Sequence, residues 1–280
     1  MRGLGIGGLL GLAAASLAVL APASLAQGGP PPKRSWTGVV QRMESAAEQL
    51  TRARRLKTLR FGLEPAERRR ATDRAVEAYR AVRLYFPEAR GACAEASFRA
   101  AELLAADGRT GAALEEYELA EEFGERTEFR ARARLEIGRI HRRAGELREA
   151  LDRFHAVATD PASPARRRGE AWLEAGDVWD ALDKTEEAER AWWTATRTST
   201  DARDRVAAFE RIGRAHIARG DLEGAAGVLA SCREALSEEA ALETETGERV
   251  RRLLASMRLP RELEAAIERR AREQVSKRTP

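Results

Sequence analysis

Large apolar and small residues alternate along the chain at helical spacing, and the pattern recurs as a unit. In each copy an Ala is followed four residues later by a large apolar or aromatic residue, and three residues further on by Ala, Val or Cys. Residues three and four apart share one face of a helix, so each copy predicts an amphipathic helix. Successive copies lie 37 or 38 residues apart, which is typical of helical repeat arrays. The copies begin at Ala75, Ala113, Ala150, Ala188 and Ala225.

A second signature precedes the last four copies and predicts a partner helix for each of them. It consists of a small residue followed by a turn residue: Ala101 and Gly108, Gly138 and Gly145, Gly176 and Asp183, Gly213 and Gly220. Gly inside a helix costs about 1 kcal/mol relative to Ala, so its recurrence requires a packing reason. We expect two antiparallel helices to approach closely there, with the large residue of the second helix beside the small one. One hairpin cannot bury its apolar face alone, so stacked hairpins supply the core.

These two signatures together resemble the tetratricopeptide repeat (TPR). Its first helix reads Trp-x-x-Leu-Gly-x-x-Tyr and its second Ala-x-x-x-Phe-x-x-Ala, followed by a closing Pro. The resemblance covers residues 65–237, with a period longer than the usual 34 residues. It implies an all-α, TPR-like α-solenoid of about five helical hairpins. The copy that matches best carries Trp172, Gly176, Trp179, Ala188, Trp192 and Ala195, and closing prolines occur at Pro87 and Pro161.

Both ends of the array depart from the repeat pattern. Residues 36–60 predict a longer amphipathic helix, which we interpret as the first helix of the first hairpin; a short coiled coil is the alternative. Residues 247–257 and 260–275 predict a pair of charged capping helices, followed by a basic tail. The predicted domains are therefore a helical repeat domain over 36–240 and a C-terminal cap over 241–280.

The first 26 residues predict a signal peptide. An uncharged run from Gly3 to Ala21 follows Arg2, and the small residues Ser24 and Ala26 precede an expected cut before Gln27. A retained membrane anchor is the alternative, because about 20 apolar residues can span a bilayer. Residues 27–35 are rich in Gly and Pro and predict a linker. We expect an exported protein, periplasmic or secreted, with no membrane span once the signal is removed.

Charge and cysteine content narrow the expected partners. Lys and Arg number 49 against 45 Asp and Glu, and both signs are interspersed, so the chain lacks the one-sided basic stripe of nucleic-acid-binding proteins.

Two cysteines in an exported chain would suggest a disulfide. The repeat register places Cys93 and Cys232 far apart, and we interpret them as buried small hydrophobic residues.

Residues with catalytic or metal-binding potential do not form a recognisable set. The match Gly3-x-Gly5-x-x-Gly8 lies inside the predicted signal peptide and has no preceding strand, so it does not indicate nucleotide binding. His141, His155 and His216 lack metal-ligand spacing and are interpreted as structural. We therefore predict no enzymatic activity, no metal and no cofactor; an unrecognised hydrolase remains an alternative.

The first helices of a helical-repeat solenoid form a groove, which is the predicted binding site. The residue directly after the small residue of each first helix should face this groove. These residues are Glu102, Arg139, Asp177 and Arg214, and they alternate in sign from repeat to repeat. We favour ion pairing between repeats over ligand contact as the explanation of this alternation. The predicted groove residues are Phe98, Glu102, Leu135, Arg139, Arg142, Arg143, Leu173, Asp177, Asp180 and Arg214.

The expected function is a noncatalytic protein-interaction scaffold of the bacterial cell envelope. Chaperone-binding TPR proteins hold a C-terminal carboxylate with Lys, Arg and paired Asn, but this chain contains no Asn. Apolar contact and charge complementarity to an extended or helical peptide are expected instead. Trp193, one residue past the core, is either an exposed contact residue or stacks on the next hairpin. A self-assembling structural protein is the alternative function, suggested by the N-terminal helix and the unpaired cysteines.

Overall fold

A computed structural model describes residues 40–125 and 127–278 of the chain, with side chains up to residue 274. The predicted signal peptide and linker lie outside these residues. The described part is entirely helical. Its helices are α1 Ala46–Thr58, α2 Pro65–Tyr85, α3 Arg90–Ala106, α4 Thr110–Phe123, α5 Glu128–Ala144, α6 Leu147–Ala158, α7 Ala165–Ala181, α8 Thr185–Thr198, α9 Ala202–Ala218, α10 Leu222–Ala235, α11 Ser237–Ala241, α12 Glu245–Ser256 and α13 Leu259–Arg278.

The first ten helices form five consecutive hairpins, as the repeat pattern predicts. Each odd-numbered helix packs along the even-numbered helix that follows, and each hairpin packs on the next. The odd-numbered helices α1, α3, α5, α7 and α9 also contact one another in order, and α13 contacts α9 in the same way. One face of the solenoid is therefore built from first helices, and we call it the first-helix groove.

The two helices of a hairpin approach each other most closely at a Gly residue, where a side chain would not fit. A Cβ placed on Gly138 would lie 2.6 Å from the ring of Phe154, and one on Gly176 would lie 2.3 Å from Trp192. Both aromatic side chains are buried. The expected pairing of a small residue with a large residue of the second helix is confirmed in these two hairpins.

The fifth hairpin solves the same packing problem with a residue from outside the repeat. The pattern predicts that Leu229 would lie beside Gly213, but the side chain of Leu259 takes that place, and a Cβ on Gly213 would lie 2.4 Å from it. Leu259 begins α13 and is fully buried. The C-terminal segment thus caps the array by inserting an apolar side chain into the last repeat.

Two histidines of the repeat pattern hold the turns between paired helices. His141 Nδ1 lies 2.6 Å from Glu146 Oε2, across the left-handed turn at Gly145. His216 Nδ1 lies 2.7 Å from Asp221 Oδ2 in the equivalent turn of the fifth hairpin. The third histidine packs against Trp172, with 5.6 Å between ring centroids. These contacts agree with the structural interpretation of all three histidines.

The N-terminal helix is shorter than the sequence pattern predicts. It begins at Ala46 rather than near residue 36, because the Ser45 side chain accepts a hydrogen bond from Glu48 N and caps the helix. Residues 40–43 are not helical, and the Val40 carbonyl oxygen accepts a hydrogen bond of 2.7 Å from the Tyr85 hydroxyl. The helix packs on α2 as the first member of a hairpin, which is the role expected for it.

Both cysteines are free and fully buried, as predicted. Cys93 Sγ lies 3.2 Å from the carbonyl oxygen of Phe86, and Cys232 Sγ lies 3.9 Å from Met257 Sδ. Burial raises the pKa of Cys93 and raises the pKa of Cys232 to about 11. Both side chains therefore stay protonated near neutral pH and act as small packing residues.

A buried charge cluster joins the second helices of the first two hairpins. Glu116 on α4 is only 2% exposed and accepts hydrogen bonds from Arg80 at 2.6 Å and Arg83 at 2.7 Å, both on α2. Arg83 also donates to the Ser97 hydroxyl at 2.7 Å. One carboxylate is thus the shared ion-pair partner of two largely buried guanidinium groups.

Replacing Glu116 by Gln should destabilise the fold strongly. The amide leaves two buried cations without a counter-charge, and we expect the free energy of unfolding to fall by about 3 kcal/mol. Urea unfolding followed by circular dichroism measures the loss. Glu118→Gln on the exposed side of α4 is the control and should change stability by less than about 0.5 kcal/mol. Equal stability of the two variants would contradict the role given to Glu116.

Two Gly→Ala substitutions should change stability in opposite directions. Gly176→Ala places a methyl group against Trp192, and the overpacking should cost about 1–3 kcal/mol. Gly227→Ala adds a methyl group in open space on α10 and should stabilise the helix by up to about 1 kcal/mol. Thermal and urea unfolding of both variants provide the measurement. A stabilising Gly176→Ala would show that the helices do not approach as described.

Candidate protein-binding groove

The first-helix groove contains two open cavities. One has a volume of about 660 Å³ and lies between α1, α3 and α5; the second has a volume of about 470 Å³ and lies between α7 and α9. Residues lining the first include Lys57, Arg60, Glu102, Glu136, Ile140 and Arg143. The second is lined by Asp177, Asp180, Trp192, Arg211, Arg214, Ala215 and Ala218.

The three apolar residues predicted to contact a partner are part of the core. Phe98, Leu135 and Leu173 are 2%, 1% and 9% exposed. Phe98 packs edge-on against Tyr117 of α4, with 5.4 Å between ring centroids. The prediction of apolar contact through these residues is therefore wrong. Other predicted residues of the same helices, such as Glu102 and Asp177, do line the cavities, but neighbouring helices cover these three apolar side chains.

The predicted charged row is occupied by ion pairs between repeats in the N-terminal half of the groove. Glu102 on α3 lies 3.9 Å from Lys57 Nζ on α1 and 3.6 Å from Arg132 on α5. Arg139 on α5 donates to Glu170 at 2.6 Å and to Glu174 at 2.7 Å, both on α7. Each repeat is thus tied to the next through its first helix.

The same arrangement continues to the C-terminal cap. Arg142 on α5 lies 3.5 Å from Asp177 on α7, and Asp177 is bound in turn by Arg211 of α9. Trp192 Nε1 donates a hydrogen bond of 3.1 Å to the same carboxylate. Arg214 lies 2.8 Å from Glu262 on α13. Ion pairing between repeats, the favoured explanation of the alternating row, is confirmed, although the partners lie beside the row rather than in it.

Burial and charge shift the titration of the paired groups. Burial lowers the pKa of Arg139, but Glu174, Glu136 and Glu170 outweigh it and the net pKa is raised. Burial and the neighbouring Arg99 lower the pKa of Arg132, whose guanidinium lies 4.2 Å from the ring centroid of Phe98. The groove floor is therefore a layer of fixed charges that hold one another rather than a ligand.

Few charged groups in the cavities remain available to a partner. Arg143 and Arg60 in the first cavity, and Asp180 in the second, have no ion-pair partner within 4.0 Å among the described residues. Arg143 and Asp180 are exposed, and Arg60 is half-buried. The candidate site thus has a cationic first cavity and an unpaired carboxylate in the second.

Structural comparison identifies solved proteins with the same architecture. A crystal structure of the MamA protein is 17% identical and covers 71% of this chain and 96% of its own, with a TM-score of 0.50. The structure of a MamA RS-1 double mutant is 16% identical and covers 71% of this chain and 99% of its own, with a TM-score of 0.50. The apo form of RapI is 14% identical, with a TM-score of 0.51, and covers 73% of this chain and 60% of its own. MamA and RapI are TPR-repeat proteins.

This chain has the TPR-like α-solenoid fold. At these identities the likeness establishes the fold alone. No protein-family model and no curated protein matches the sequence. The expected fold class, including the capping helices that pack on α9, is confirmed.

Several groove residues of this TPR solenoid were missed from the sequence. Lys57 lies in the last turn of α1 and Arg60 in the turn that follows it, where the repeat signature is absent, so the register could not be extended to them. Ile140 directly follows the predicted residue Arg139, and Arg211 precedes the predicted residue Arg214 by three positions, so the prediction included neither. The signal that could have found Arg211 is its spacing of 34 residues from Asp177, which is close to one repeat.

The described part of the TPR solenoid also bears on other classes of function. No helix in residues 40–125 and 127–278 is long and apolar enough to cross a membrane. No group of three metal-ligating side chains comes together within the same residues. Trp193 is partly buried and packs edge-on against Phe209 of the next hairpin, with 5.8 Å between ring centroids. Stacking, rather than an exposed contact, is the role of Trp193.

Glu170 links stability of the TPR solenoid to pH. Burial raises the pKa of Glu170, but hydrogen bonds from Arg167 and Arg139 outweigh burial, and the net pKa is below its usual value. A carboxylate whose pKa is lower in the folded state stabilises the fold above its unfolded pKa of about 4.3. This stabilisation is lost as the pH falls through the lower, folded-state pKa.

Glu170→Gln should make stability less sensitive to acid. We expect the variant to be less stable than wild type at neutral pH and to lose less further stability between about pH 5 and pH 3. Urea unfolding at a series of pH values measures both effects. Glu186→Gln, an exposed residue of α8, is the matched control and should reproduce the wild-type profile. Parallel profiles for wild type and Glu170→Gln would contradict this account.

Proposed function

We propose that the protein is a noncatalytic scaffold that binds a segment of another protein in the first-helix groove, within the bacterial cell envelope. The observation that carries the proposal is the pair of open cavities on one face, each with an unpaired charged side chain. Helical-repeat solenoids form extended concave surfaces that serve for binding, and this fold supports a protein-binding role. The envelope location is supported by the predicted signal peptide in residues 1–26.

The arrangement of charge indicates how a partner segment would lie. Arg60 and Arg143 attract acidic side chains to the cavity between α1, α3 and α5, while Asp180 attracts a basic side chain to the cavity between α7 and α9. Besides small residues and Ile140, the apolar lining consists of Leu103, Tyr117 and Trp192. These three side chains are at most 3% exposed, so recognition depends on charge and backbone contacts more than on deep apolar pockets. The partner segment is therefore of mixed charge, with its acidic part toward α1.

The self-assembling alternative has lost its structural motivations. Cys93 and Cys232 are fully buried, so neither thiol is available for a bridge to a second chain. The N-terminal helix packs on α2 within its own hairpin. Both features that suggested self-assembly have an explanation within one chain.

A charge-reversal pull-down tests the groove. Arg143→Glu/Asp180→Lys changes two unpaired groups and breaks no ion pair between repeats, so the fold should be retained. We expect this variant to lose partners that wild type retains from an envelope extract, because charge complementarity reverses at both cavities.

The matched control is Arg148→Glu/Asp152→Lys. These exposed residues of the second helix α6 carry the same charges and also lack ion-pair partners among the described residues. The control should keep the wild-type set of partners. Identical partners for all three proteins would overturn the groove as the binding site.

A further inference from the structure

The turn between α1 and α2 exposes large apolar side chains at the N-terminal end of the solenoid. Phe61 is 76% exposed and Leu59 is 59% exposed, the two highest fractions among the large hydrophobic residues described. Exposed apolar side chains that lie together and are rimmed by polar residues are typical of protein or membrane interaction sites. We call Leu59–Leu63 the apolar tip.

The tip is an ordered turn rather than a loose loop. Phe61 N donates to the Thr58 carbonyl at 3.3 Å, and Gly62 takes a left-handed backbone conformation with φ of 78°. Arg68 Nη2 donates to the Leu63 carbonyl at 2.9 Å and ties the end of the turn to α2. The backbone therefore holds Phe61 outward, and within the described residues 76% of its surface is left exposed.

Basic residues flank the tip on both sides. Between residues 54 and 70 the chain has seven basic residues and two acidic ones. Asp73 on α2 and Asp107 in the turn of the next hairpin are already engaged, since Arg109 lies 2.6 Å from Asp73 and 2.9 Å from Asp107. Four of these basic residues have no ion-pair partner in the described structure: Arg55, Arg60, Arg68 and Arg70. The two acidic residues, Glu64 and Glu67, also have none, so the unpaired charge of the segment is positive.

We propose that the apolar tip binds the surface of an anionic lipid bilayer, with Leu59 and Phe61 inserted at the headgroup boundary and the flanking arginines on lipid phosphates. An aromatic and a Leu side chain surrounded by Arg and Lys are the combination that interfacial membrane segments use. A basic surface has no such complementarity to neutral lipid, so anionic headgroups are required. The tip borders the first groove cavity through Arg60, but Leu59 and Phe61 line neither cavity, and the proposal does not depend on the proposed scaffold function.

Vesicle flotation tests the proposal. A chain that begins at Gln27 is used, because the apolar run of residues 3–21 would bind vesicles by itself and Val40–Pro280 forms a compact unit of its own. We expect this chain to float with vesicles that contain phosphatidylglycerol and not with vesicles of phosphatidylcholine alone. Binding should decrease at about 1 M salt, where the Debye length is only about 3 Å.

Two variants separate the apolar and the basic contributions. Leu59→Ser/Phe61→Ser should weaken binding to the anionic vesicles at least tenfold, because it removes the inserting side chains and leaves every charge. Arg55→Gln/Arg70→Gln should weaken binding and reduce its salt dependence. Both variants avoid Lys57 and Arg60, which line the groove, so partner binding by the scaffold should be unchanged.

The matched control is Leu242→Ser/Ile267→Ser, which removes two exposed apolar side chains at the other end of the solenoid. It should bind vesicles within twofold of the parent chain. Circular dichroism confirms that each variant remains folded. The proposal is overturned if the parent does not float with anionic vesicles, or if the tip variant binds as the control does. Loss of an acidic protein from the pull-down with the tip variant, without vesicle binding by the parent, would also overturn it and assign the tip to a protein partner.

Discussion

The close packing of one helical hairpin against the next is the constraint on which the rest of this structure depends. A single hairpin exposes too much apolar surface to be stable alone, so the core exists only because five hairpins stack in one register. That register requires a small residue wherever paired helices meet, which explains the Gly residues opposite Phe154 and Trp192. The last hairpin has no successor, and Leu259 completes its core instead.

Electrostatics reinforces the same register at a second level. Ion pairs link α1 to α3, α3 to α5, α5 to α7, α7 to α9 and α9 to α13 along the first-helix groove. The buried Glu116 cluster links the second helices of the first two hairpins, α2 and α4. The sequence supplies charges of both signs in nearly equal number for such pairs, with 49 Lys and Arg against 45 Asp and Glu. Most of the charged side chains that line the two groove cavities are paired inside the fold, and Arg60, Arg143 and Asp180 are the ones left without an ion-pair partner among the described residues.

The fold could be predicted from the sequence in considerable detail, whereas the candidate site could be predicted only in part. Hairpin number and turn positions followed from the repeat period, because each hairpin has a local pattern of its own. The start of α1 was placed too early, since the Ser45 cap outweighs the apolar spacing before it. At the site, only Arg143 and Asp180 of the predicted residues remain exposed and unpaired among the described residues.

The sequence by itself determined the all-helical repeat architecture, the burial of both cysteines and the alternation of charge along one row. These properties depend on spacing within a helix and on the repeat period, which are visible in one dimension. Only the tertiary structure decided that Phe98, Leu135 and Leu173 belong to the core, that Leu259 fills the last hairpin and that Phe61 stands uncovered. Those outcomes depend on which neighbouring helix covers each side chain. Such contacts join residues that are distant in the chain, and the local spacing of residues does not predict them.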